Sequence, residues 1–70
     1  MFSERIRLLR SERHLTQADV AHEVGLSARG SQDLELGATP RGDTLLAIAE
    51  FYQVSIDWLM GRTDVREVTK

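Results

Sequence analysis

Cysteine is absent from the seventy residues of this chain. That excludes a disulfide, a thiolate nucleophile and any cysteine-based zinc site. Two histidines, His14 and His22, are too few for a convincing metal site, so no metal or other cofactor is expected. No apolar run approaches the roughly 20 residues that a membrane span needs. The start, Met1-Phe2-Ser3-Glu4-Arg5, has neither the basic opening nor the apolar centre of a signal peptide. A cytoplasmic location is the default expectation. There is no glycine-rich phosphate loop, and His14 has no serine–acid arrangement around it, so an enzyme is not expected. Positive charge is short as well. Nine Lys and Arg face eleven Asp and Glu, a formal net charge of −2, which argues against a strong nonspecific grip on a polyanion.

What remains is a chain with 41% apolar residues, enough for one small core. Its pattern is helical throughout, with no repeat, low-complexity segment or β alternation. Ser3 to Arg13 reads as the first helix, with Ile6 and Leu9 on one face and Arg5, Arg7, Arg10 and Arg13 elsewhere. Thr16 caps a second helix, with Asp19 three residues on in the manner of a capping box. Val20, Ala21 and Val24 are its apolar stripe, and Gly25 ends it. Ser27 caps a third helix from Ala28 to Leu36, ended by Gly37. Ala38 to Gly42 is a loop, punctuated by Pro40 and Gly42. A fourth helix runs from Asp43 to Tyr52. Ser55 caps a short fifth, Ile56 to Met60. Residues 1–64 form one domain and 65–70 a mobile tail. The fold class is all-α, a compact arrangement of five helices.

Two short helices joined by a tight glycine turn are a unit that can lay a helix in the DNA major groove. Its physical demands are specific. Ala21 must be small where the third helix crosses the second. Gly25 must reach a backbone angle that is costly with a side chain. Val20, Val24, Leu26 and Leu34 pin both helices to the core.

With these residues in this order, the chain resembles the Cro and phage-repressor family of helix-turn-helix regulators, also called the XRE type. The resemblance covers roughly residues 4–64. Its anchors are Ile6-Arg7-x-Leu9-Arg10, Leu15-Thr16-Gln17, Val20-Ala21-x-x-Val24-Gly25-Leu26-Ser27, Leu34-Glu35-x-Gly37, Pro40, Leu45-x-x-Ile48-Ala49 and Val54-Ser55-x-Asp57-Trp58-Leu59. The resemblance implies the family's five-helix fold and a DNA-binding regulator, a repressor, that binds a two-fold symmetric operator as a homodimer. It implies that Ala28, Arg29, Gln32 and Asp33 face base edges. Gln17, Ser27, Arg10 and Arg41 would hold phosphates, with Arg10 also bridged to Glu35. Ile56, Trp58 and Leu59 match the region where two copies meet. Four apolar residues in that short helix, Met60 included, are too many for one inward stripe, so some must face outward.

The departures from the pattern are informative. Ser31 stands where relatives usually bury a large apolar residue, and Gly30 beside it is a poor helix former. Phe51 stands for a frequent alanine and is a candidate to fill the space at Ser31. Leu8 replaces a polar residue, and Gln53 a frequent glycine. From Thr16 to Leu36 there are four acids and one base. That balance favours an alternative of another class, a helix-turn-helix module for protein–protein contact, such as an antitoxin or antirepressor, with a regulatory protein as partner.

Overall fold

The computed structural model describes residues 1–68; the last two positions of the expected tail lie outside the described residues. Five helices follow one another: α1 (Phe2–Glu12), α2 (Gln17–Val24), α3 (Ala28–Glu35), α4 (Gly42–Tyr52) and α5 (Ile56–Leu59). Every boundary lies within a residue or so of the pattern-based expectation. The all-α, five-helix class therefore holds for the described residues.

Each helix start has a local cause. Thr16 Oγ1 accepts from Asp19 N–H, and the Asp19 carboxylate accepts from Thr16 N–H, closing the capping box. Those bonds, the backbone one first, hold the Asp19 carboxyl below the ordinary aspartate range. Ser27 and Ser55 accept from Gly30 N–H and Trp58 N–H at the starts of α3 and α5. α1 starts one residue earlier than its polar pattern indicates because Phe2 turns inward and joins the core.

The core is a single cluster. Ile6 and Leu9 of α1, Val20 of α2, Leu34 of α3, Ile48 and Tyr52 of α4, and Trp58 and Leu59 of α5 meet there. α3 packs on α2 and α1, α4 packs on α2 and α5, and α5 packs on α1. α2 and α3 are thus held from behind by α1 and α4, which α5 in turn braces.

Gln53 ends α4 in the left-handed region at φ +57°, where a side chain is unfavourable. Its Nε2 donates to Glu50 O at 2.7 Å, a partial local compensation for the missing glycine. Tyr52 carries a different local cost. Its hydroxyl is buried without a hydrogen bond among the described residues, and burial pushes its pKa up. An unsatisfied buried hydroxyl is destabilising, so Tyr52→Phe should leave stability unchanged or raise it by up to about 1 kcal/mol. Thermal unfolding checks this; a clear loss would reveal a partner for the hydroxyl.

The segment after α5 folds back over α1. Arg5 donates to Trp58 O and, at 3.2 Å, to Thr63 O. Arg66, from the stretch expected to be a mobile tail, forks onto both carboxylate oxygens of Glu12. Its carbonyl accepts from Ser55 N–H at 2.9 Å. Both guanidinium groups lie over the Trp58 ring, that of Arg5 4.6 Å and that of Arg66 5.3 Å from its centre.

Candidate nucleic-acid interface

The turn between α2 and α3 takes its shape from three residues. Gly25 adopts φ +78°, and its N–H and that of Leu26 both return to Ala21 O. An added Cβ at Gly25 would meet nothing within 4 Å, so glycine is needed there for its backbone angle and not for space. Leu26 packs against the core from the turn, and Ser27 opens α3. Ala21 is buried at the helix crossing, as its small size demands.

α3 then divides cleanly into two faces. Ser31, Leu34 and Glu35 point inward and are buried. Ala28, Arg29, Gln32 and Asp33 are exposed, at the i, i+1, i+4, i+5 spacing of one helical face. Among the described residues none of these four side chains is tied into a hydrogen bond or ion pair within the fold. Gly30 is less open than its type allows: a Cβ there would come 3.2 Å from Ser27 Oγ, the cap of the same helix. Ser31 is 4% exposed. Phe51 shares a shallow groove with Leu15, Ala18 and His22 on the α2 side, with its ring 5.4 Å from the Arg13 guanidinium.

The inner end of α3 is a polar node. Glu35 is 6% exposed. Its carboxylate accepts from Arg10 Nε at 2.7 Å and from Arg10 Nη2 at 2.9 Å, a two-point fork. Arg10 Nη1 donates to Leu15 O at 3.1 Å, in the turn before α2. Gln17 Nε2 donates to Glu35 Oε1 at 3.2 Å. One buried carboxylate therefore joins α1, α2 and α3. The fork raises the Arg10 pKa above its ordinary value, so the guanidinium stays charged.

This geometry qualifies several of the expected site residues. Arg10 and Gln17 sit side by side, yet both spend donors on Glu35, and Arg10 is half-buried. Ser27 Oγ is occupied as a cap. Arg41 is exposed at the start of α4, 3.6 Å from Asp43. In α5 the inward pair is Trp58 and Leu59. Leu59 is wholly buried and Trp58 is 7% exposed, so both side chains are turned into the core of this chain. The physical reason is the core's need for filling: a domain this small turns its largest apolar side chains inward. The outward apolar residues here are Ile56 of α5 and Met60, its C-cap. Ile56 borders an open groove with Leu46, Val54 and Val68. No helix of the described residues is long and apolar enough to cross a membrane.

Comparison with known proteins agrees with the geometry. A family model described as Helix-turn-helix matches residues 6–59. The chain is 35% identical over 66 residues to the Uncharacterized HTH-type transcriptional regulator YobD of Bacillus subtilis, covering 91% of this chain and 58% of that protein. It is 34% identical over 61 residues to the regulator YqaE of the same organism, covering 86% of this chain and 53% of that one. It is 37% identical over 65 residues to the Cryptic phage CTXphi transcriptional repressor RstR of Vibrio cholerae, covering 91% and 59%. The chain thus spans a little over half the length of these relatives.

Proposed function

Because the chain belongs to the helix-turn-helix family of transcriptional regulators, we propose that it is a sequence-specific DNA-binding repressor. α3 lies in the major groove and reads bases through its outward face. The observation that carries this reading is the division of α3. Its inner face is locked by Leu34 and the Glu35 node, while Ala28, Arg29, Gln32 and Asp33 stand clear of the fold. A rigid helix with an uncommitted polar face is what direct readout requires.

Roles follow from side-chain chemistry. Arg29 can fork onto guanine O6 and N7, Gln32 can pair with an adenine edge, and Ala28 suits a thymine methyl. Asp33 accepts from a cytosine amine or repels phosphates. Gln17 N–H at the start of α2 and Ser27 N–H at the start of α3 supply backbone donors for phosphates at helix N-termini. Two copies pair through the Ile56 surface, which places two α3 helices about 34 Å apart on one face of a symmetric operator. The repressor relative supports the sign of regulation. A second reading, contact with a regulatory protein, is favoured by the exposed acids Glu23 and Asp33.

Selection of bound fragments from random duplex DNA is the test. An enriched, two-fold symmetric sequence is expected. Arg29→Ala should cost about 1–3 kcal/mol on that sequence and relax one position in each half-site. No enrichment would hand the protein-partner reading the advantage. Equal weakening on every sequence would remove Arg29 as a base reader.

A further inference from the structure

Arginines carry the positive side chains of residues 1–68; four of the eight are committed within the fold, and two more sit in exposed surface pairs. Arg10 is forked onto Glu35, and Arg66 onto Glu12. Arg5 holds Trp58 O and Thr63 O. Arg13 donates to Phe51 O and Tyr52 O, at 3.2 Å each. Arg62 lies 4.0 Å from Asp57, and Arg41 3.6 Å from Asp43. Two arginines have neither a hydrogen bond nor an ion pair among the described residues. One is Arg29 on α3. The other is Arg7 on α1, exposed and given no part in the reading above.

The placement of Arg7 is informative. At 3.6 residues per turn, Ser3, Arg7, Arg10 and His14 share one flank of the first helix and its end. Ser3 borders a small cleft with Gly37, Ala38, Thr39 and Pro40, the loop that follows α3. Arg10 reaches Glu35, the last residue of α3. Arg7 stands between these two contacts, so its flank faces the C-terminal end of α3. Arg5 and Glu12 lie on the opposite flank and are engaged with the segment after α5.

The charge of the interface needs such a group. Arg29 and Asp33 cancel on the outward face of α3, and the acids of α2 repel a polyanion. An eight-residue helix is about 12 Å long, close to the width of the major groove. A helix lying across that groove brings its far end to the bordering phosphates. From this we infer that Arg7 is a DNA backbone contact, its guanidinium meeting a phosphate of the strand that passes the C-terminal end of α3. The contact rests on the DNA reading and deepens it.

Salt dependence tests it. The duplex recovered by selection, and a random duplex of equal length, are titrated with wild type, Arg7→Gln, Arg7→Lys and Arg62→Gln from low to high salt. Arg7→Gln should weaken binding about 3–10-fold on both duplexes and lower the slope of log affinity against log salt by about one for each bound copy. Arg7→Lys should keep most of the slope, since a charge and not a fork is required. Arg62→Gln removes the same charge from a position beside α5 and should change neither quantity. Circular dichroism checks the fold, which Arg7 does not support through any described polar contact. An unchanged slope in Arg7→Gln, or an equal fall in Arg62→Gln, overturns the contact while leaving the DNA reading intact. A loss confined to the selected sequence also overturns it. A wild type that binds neither duplex overturns the DNA reading and the contact with it.

Discussion

Leu59→Ala should destabilise the domain by about 3–5 kcal/mol, the upper range for a leucine truncated in a tight core. Leu59 has no exposed surface and sits where α5 closes against α1. Removing its branched end leaves a cavity lined by rigid helices, and small domains have few loose side chains to refill one. A chain of this length has a total stability of roughly 4–10 kcal/mol, so the variant loses a large fraction of it. The midpoint of thermal unfolding should fall by some 12 °C or more. The loss should not depend on protein concentration, because the residue acts inside one chain. A loss that shrinks as concentration rises would instead assign Leu59 to a contact between copies. Ile56, which is exposed, should show the reverse pattern when changed to a polar residue.

Glu35→Ala should cost about 3 kcal/mol. The substitution leaves Arg10 without its fork and Gln17 without its acceptor, in a site where Glu35 itself is nearly dry. Breaking a buried pair from one side typically costs about 3–5 kcal/mol. The lower end applies here because about a quarter of the Arg10 side chain reaches solvent and can be rehydrated. Replacing both partners, Arg10→Met with Glu35→Leu, should recover much of the loss, since two apolar chains need no partners. Urea unfolding of the wild type, both single variants and the double variant measures the coupling directly. Losses that simply add would show that the pair does not act as a unit. The double variant should also bind DNA less well than its stability suggests, because α3 would be seated by packing alone.

The polar node shows how far sequence reasoning reaches. Arg10 and Glu35 are 25 positions apart, and nothing in composition or helical period joins them. Only the family resemblance pointed to the pair. The participation of Gln17 in the same carboxylate was not legible, because an amide near a helix start looks the same whether it faces solvent or a buried acid. The α5 residues illustrate the opposite limit. Four apolar side chains in one turn and a half declare that some face out, but not which. The register of α5 against α1 decides that, turning Trp58 and Leu59 inward and leaving Ile56 and Met60 outside. Few apolar residues mark residues 65–70 as a tail in the sequence, and nothing there signals a contact with α1. The contacts of the stretch after α5 run through Arg5, Arg66 and backbone carbonyls, which leave no hydrophobic signature.

Local chemistry was determined by the sequence alone. Thr16 with Asp19, Ser27 and Ser55 start helices because their oxygens satisfy nearby N–H groups, and Gly25 ends one because it alone takes φ +78° without strain. The outward set Ala28, Arg29, Gln32 and Asp33 is implied by the family resemblance, and the i, i+1, i+4, i+5 spacing of the exposed residues of α3 agrees with it. The tertiary structure decided which charges are free. Burial and long-range pairing commit Arg5, Arg10, Arg13 and Arg66 to the fold, while Arg7 and Arg29 stay unpaired among the described residues. Ionic and hydrogen-bond partners come from helices distant in the chain, so their pairing follows from how the helices pack and not from any local pattern.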